Sequence, residues 1–430
     1  MTLQYVETAT HQLAKKRKVS QLDDQPINGL KETNGETQPG LSLNKFKHLS
    51  LLYSPSVQAK IWSVAKRDLD SSEPPTWYPE YTKPGKKGPS PHLLQLEHAC
   101  KWWTENLHQN GSLLGTHDLG FMVCPWARVQ WDINRDQRAF DTMMRAANTL
   151  ADRFSETTGY TSKDFLVIID NMMNLEVLFW AASQTPSRAE STRLFDIAVA
   201  HARTSQKYHV RADSSTCHVA NFDPSTGTLK ERLTNQGYSH TSCWSRGQAW
   251  AIAGFADAYK WSGEASFLDT AKRCADYFLR RLPDTQIPPW DFDAAETSGG
   301  VQPPDTSAAL VAAYGMLVMH QMFLSRGEQS PYLEHALRIV DAVCSRHLNP
   351  LAKGEEKSRP IDTVENGSGV PVSHVEWDIG EGDTIVNGAT INNFKFAPRR
   401  WADHGLVYAD YFFLLVGNKL LEMNVLRQML

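Results

Sequence analysis

The chain has little of what several common function classes require. Its 44 Lys and Arg face 48 Asp and Glu, a net charge of −4. No basic field exists to hold a polyanion, which excludes a nucleic-acid partner on charge. Apolar runs such as 165–169 and 411–416 are far shorter than the roughly 20 residues that cross a bilayer, so no membrane partner is expected. The first 45 residues hold no apolar stretch of the roughly 7–15 residues found in secretory signals, which makes a cytoplasmic location the expectation. The six cysteines, at 100, 124, 217, 243, 274 and 344, form no Cys-x-x-Cys pair and have no histidine at zinc spacing. They read as small buried hydrophobes, with neither metal ligation nor a disulfide expected of them. Hydrophobic residues at 41% and charged residues at 21% are ordinary for a globular chain. Tryptophan is what the sequence has in excess, with 13 residues. Many sit beside Gly, Pro, Asp or His, a pattern that a sugar-stacking cleft and ordinary core packing both accommodate.

Residues 1–45 are rich in Lys, Asp, Gln, Asn and Thr and read as a disordered polar tail. Within it, 15–19 (Lys-Lys-Arg-Lys-Val) matches a short basic nuclear-import motif and equally a solvated charge run. Residues 46–430 read as one folded domain. Helical periodicity marks eleven segments there: 56–70, 91–109, 118–131, 136–158, 170–184, 187–209, 244–262, 264–282, 305–325, 329–347 and 402–423. The one convincing extended stretch is 216–233, which reads as a hairpin turning at 223–227.

Tight links near 184–186, 262–263 and 325–327 alternate with long ones at 209–243, 283–304 and 348–401. Tight links force antiparallel neighbours. Helices entered from the long links, at 118, 170, 244, 305 and 402, are apolar around much of their circumference, whereas 193–207 carries a charged face. Helices apolar all round must be buried, and one-sided ones need a wet face. An inner and an outer ring follow, the all-α architecture of an (α/α)6 barrel. The inner helices then start at one end, around one cavity.

That end gathers His117, Asp118, Asp170, Trp244, Arg246, Trp250, Asp305 and Asp403. An Asp at a helix start is commonly an N-cap, a reading open for each of these. Asp170 is distinguished by the apolar run 165–169 that delivers it to a poorly solvated place. There desolvation raises a carboxyl pKa and makes a proton-donating form available near neutrality. A second carboxylate in the same hollow, Asp118, would raise it further. Arg246 between Trp244 and Trp250 suits bidentate carboxylate recognition beside flat sugar-binding faces, or the capping of loop carbonyls. His218 and Gln236 flank the hairpin that leads to that helix.

Taken together these stretches resemble glycoside hydrolase family 88, the unsaturated glucuronyl hydrolases. The matching segments are THDLGFM (116–122), IIDNMMNLEVLFWAA (168–182), DSSTCHVANFDPSTG (213–227), NQG (235–237), CWSRGQAWAIAGFA (243–256), PPDTSAA (303–309) and HGLVYADYFFL (404–414). The resemblance implies an (α/α)6 barrel with Asp170 as general acid/base and Asp118 as second essential carboxylate. It places His117, His218, Gln236, Trp244, Arg246 and Trp250 around the sugar. It further implies hydration of the vinyl ether of a 4,5-unsaturated uronic acid at the end of an oligosaccharide, with no cofactor. A related rhamnogalacturonyl hydrolase activity, or an inactive sugar-binding toroid, are the alternatives. One departure stands out. Eleven segments are one short of six inner–outer pairs, and the Pro- and Gly-rich stretch 72–90 leaves no room for an inner helix near 83–90.

Overall fold

Apolar residues on every side of a helix leave it no wet face, and the longest such helix sits at the centre of the fold. In the computed structural model, Thr306–Ser325 is buried from Thr306 through His320. By length and mean hydropathy (1.5) it could span a membrane, yet its surroundings are other helices of the same chain. The structure describes residues 42–54, 56–57, 60, 93–155, 165–295, 302–361, 370–378 and 383–425.

Helix α1 (Leu93–Thr104) continues as a 3-10 stretch over Glu105–Ser112. The next rod is α2 (Leu119–Val123), a π-helical turn over Cys124–Arg128 and α3 (Val129–Asn134), followed by α4 (Gln137–Ser155). Strand β1 (Phe165–Ile168) runs into a 3-10 turn, Ile169–Asn174, and then α5 (Leu175–Gln184) and α6 (Arg188–Tyr208). Strands β2 (Val219–Phe222) and β3 (Leu229–Leu233) precede α7 (Ser245–Ser262) and α8 (Ala265–Arg281). Helix α9 (Thr306–Ser325), α10 (Tyr332–Arg346), strands β4 (Lys353–Ile361) and β5 (Val370–Asp378), and α11 (Val407–Glu422) follow among the described residues.

The two-ring expectation holds: this is an all-α (α/α) toroid. Every residue of α7 from Ser245 to Ala258 is buried. Its outer neighbour α8 buries only one side, through Phe267, Leu268, Ala271, Cys274, Ala275 and Phe278. Local chemistry sets the ends. Ser187 caps α6 by accepting from Glu190 N–H. Gly263 closes α7 at φ 72°, a left-handed turn open to glycine that reverses the chain into α8.

Three differences from the sequence reading have plain causes. The run 165–168 is a strand, so 216–233 is not the sole extended stretch; β1, β2 and β3 form one antiparallel sheet. A second hairpin, β4–β5, fills part of the link 348–401. The last inner helix begins at Val407 rather than 402, because His404 pairs with Ala389 and Asp403 takes φ 54°. The tail 1–41 with its basic motif 15–19, most of the segment 56–70 and the gap near 83–90 lie outside the described residues.

Candidate active site

Register brings the first two chemical side chains together. The β1–β2 ladder runs from Phe165↔Phe222 to Ile168↔Val219, and Ile169 N–H then donates to His218 O at 2.9 Å. Asp170 is the next residue, where the chain turns into the 3-10 segment. Its Oδ2 lies 3.8 Å from His218 Nε2.

The Asp170 side chain is 15% exposed, and its Oδ2 is buried with no hydrogen-bond partner. Desolvation pushes its pKa up to about 7, with Asp118 adding to the rise; Arg246 and the Trp250 indole pull the other way without cancelling it. His218 is buried too. Desolvation, with Arg246, His209 and His117 adding positive charge, holds its pKa down to about 3, so the ring is neutral. A protonatable carboxyl thus faces an imidazole that will not take its proton.

Asp118 ends the turn before α2. It makes no capping hydrogen bond, which removes the capping alternative, and Asp170 lies inside its 3-10 turn, whose N-cap position is Ile168. The expectation of two carboxylates in one dry hollow is corrected here. Asp118 is 46% exposed, its Oδ1 3.5 Å from His117 Nε2, so only Asp170 is desolvated. Asn174 ties the two turns together. Its Oδ1 accepts from Gly120 N–H at 2.8 Å, and its Nδ2 donates to His117 O at 2.8 Å. Gly120 is required for that approach, because a Cβ there would lie 2.7 Å from Asn174 Cα.

The start of α7 supplies walls. Trp244 is buried with its ring centroid 4.6 Å from that of His218. Trp250 is buried between Phe121 (5.3 Å) and Phe412 (5.5 Å). Neither presents an open face to a sugar in this structure. Arg246 is 2% exposed. Its Nη1 donates to Asp305 Oδ2 (2.9 Å) and Thr390 O (2.6 Å), and its Nη2 to Ile391 O (2.7 Å). The geometry selects loop-carbonyl capping over a clamp on an incoming carboxylate. Arg246 acts on the site as a fixed positive charge. Asp305 caps α9, accepting from Ser307 N–H and Ala308 N–H. Gln236 is half-buried, its carbonyl accepting from Asn393 N–H at 3.5 Å.

Sequence reasoning placed the long link 348–401 and Asp403 at this end but singled out none of the aromatics at 394–401; the bridges Ala389↔His404 and Asn392↔Trp401 fold the loop 389–404 over it. It exposes Phe396 and Trp401 and packs Phe394 against His240. Their aromatic composition was the available signal. Thr234 and Asp291 were missed as well, and nothing in their local sequence marks them. Asp291 Oδ2 anchors the loop 234–243 by accepting from Tyr238 N–H and Ser242 Oγ–H. Among the described residues, no group of three His, Cys, Asp or Glu side chains is placed to hold a metal.

No family model matches the chain. It is 34% identical over 240 residues to an unsaturated glucuronyl hydrolase of Bacillus sp. (strain GL1), covering 54% of this chain and 62% of the relative. It is 35% identical over 234 residues to an unsaturated chondroitin disaccharide hydrolase of Streptococcus agalactiae serotype III (strain NEM316), covering 53% and 56%. The matched region thus spans less than two thirds of these relatives' length. Among solved structures it is similar to an unsaturated glucuronyl hydrolase specific for heparin, with TM-score 0.66 and 24% identity over 89% of this chain and 98% of that one. That likeness is one of fold.

Proposed function

We infer that this chain belongs with the unsaturated glucuronyl hydrolases of glycoside hydrolase family 88, and that it releases 4,5-unsaturated uronic acid from oligosaccharides by hydrating the ring alkene. One observation carries the reading: the buried Asp170 carboxyl, whose Oδ2 has no hydrogen-bond partner and lies 3.8 Å from His218 Nε2, in surroundings whose desolvation pushes its pKa up to about 7. A vinyl ether needs a proton at carbon before water can add, and a carboxylic acid of that strength is matched to the task. The relatives named as unsaturated glucuronyl and chondroitin disaccharide hydrolases support the substrate class.

In the proposed sequence the Asp170 proton passes to C4 and leaves a cation at C5 that the ring oxygen stabilises. Water adds at C5, and its proton returns to the Asp170 carboxylate, restoring the acid. The hemiketal at C5 opens, and the uronic acid leaves as a keto acid while the aglycone sugar departs as an alcohol. Atoms balance with one water consumed. Asp118, partly solvated and electrostatically coupled to Asp170, serves as the second carboxylate.

The test is an unsaturated disaccharide made by a polysaccharide lyase, followed by the loss of ultraviolet absorbance of its conjugated alkene. Asp170→Asn is expected to lower kcat by about 10²–10⁴-fold while the protein stays folded. Folded wild-type chain that binds the disaccharide and leaves its absorbance unchanged would replace this reading with the inactive sugar-binding toroid.

A further inference from the structure

The hydrogen bonds around His218 define where its proton sits. Asn235 N–H points at Nδ1 from 3.2 Å, and a backbone N–H can only donate. Thr234 Oγ1 lies 3.3 Å from the same nitrogen and already accepts from Gly237 N–H at 2.8 Å, leaving its own proton for Nδ1. Two donors converging on Nδ1 require a lone pair there. The ring proton is therefore on Nε2, the atom 3.8 Å from the partnerless Asp170 Oδ2. Thr234 is buried, and the Trp244 ring packs against the imidazole, so the ring is held in place.

We propose that Thr234 is a positioning residue: together with Asn235 N–H it fixes His218 in the Nε2–H tautomer, which blocks proton transfer from Asp170 to the imidazole and keeps the acid for the substrate. The proposal rests on the reading of Asp170 as the acid. With the opposite tautomer, a bare Nε2 would face the carboxyl and compete for its proton. The charged and titratable groups acting on the pair are Arg246 from α7, Asp118 and His117 from the turn before α2, and His209 beyond the sheet.

The experiment uses the full chain labelled with ¹⁵N-histidine, His218 being assigned from the peak lost in His218→Gln. The ring-nitrogen shifts are read without substrate. Wild type is expected to show the Nε2–H tautomer throughout the neutral range. Thr234→Ser, which keeps the hydroxyl, is expected to retain it. Thr234→Val leaves Asn235 N–H as the one donor of this pair on Nδ1 and is expected to weaken the preference for Nε2–H, lower kcat about tenfold with less change in KM, and move the alkaline limb of the rate profile. An Nδ1–H His218 in wild type overturns the proposal. So does a valine variant with wild-type tautomer and wild-type kcat. If the valine variant does not fold, the wild-type tautomer and the serine variant decide. Because the spectrum needs no turnover, an inactive wild type would remove the acid assignment while the tautomer is still measured.

Discussion

Burying a carboxyl works against the fold whenever the group is ionised, and Asp170 makes that cost measurable. Its pKa stands near 3.8 in an unfolded chain and at about 7 here, chiefly through desolvation. The folded-state value is the higher one, so the stability it contributes is intact below about pH 4 and is lost as the pH rises through about 7. Asp170→Asn is accordingly expected to match wild type in acid, yet to be more stable above about pH 7 by on the order of 2–4 kcal/mol. Thermal melts at both pH values check it, and a variant less stable on the alkaline side would contradict the desolvated environment. The same residue thus trades stability for an available proton. Asp170 was legible because a run of five apolar residues can only deliver a polar one to a dry place. Arg246 was not. Its partners Thr390 and Ile391 are 144 and 145 residues away, and no local pattern tells a guanidinium to bond loop carbonyls rather than a ligand.

Segments that look alike in sequence separate by the partner each finds. Residues 165–169 read as an apolar lead into a helix. They form a strand because 219–222 lies alongside to pair with them, a long-range choice that periodicity over so short a run does not report. The helices of the inner ring were legible because burial on all sides writes itself into composition over many residues. What joins these elements at the site is Asn174, which bridges the 3-10 turn bearing Asp170 to the turn bearing Asp118. Asn174→Leu keeps the branching at Cγ and removes both bonds. It is expected to lower stability by about 1–3 kcal/mol, because Gly120 N–H is left buried without a partner. Turnover should fall further than this loss of stability explains, since the Asp118 turn is released. Unchanged kcat from a folded variant would show that the tie is dispensable to the chemistry.

A ring of helices has to close, and closure depends on residues far apart in the chain. The segment 42–53 closes part of it. It makes two short 3-10 turns, Leu43–Lys45 and Leu49–Tyr53, and buries Phe46, Leu49 and Leu52. Lys45 pairs with Glu334, and His48 N–H donates to Asp341 Oδ1 at 2.7 Å, both on α10; Tyr53 Oη–H donates to Gly417 O at 2.9 Å on α11. The sequence reading drew the domain boundary at 45/46, inside this stretch, and gave 42–45 to a disordered tail, whereas Leu43–Lys45 is a 3-10 turn; turns this short carry no periodic signal, and their hydrogen-bond partners lie 293 and 364 residues on. If the contact is part of the cooperative core, Leu49→Ala should cost about 2–5 kcal/mol, the range for emptying a fully buried leucine site, whereas Lys45→Ala, breaking an exposed pair, should cost less than about 1 kcal/mol. Denaturant titration of the two variants separates the cases. A Leu49→Ala loss as small as that of Lys45→Ala would mean that the segment lies on the ring without locking it. A large loss within a single transition would mean that the segment 42–53 and α11 unfold together.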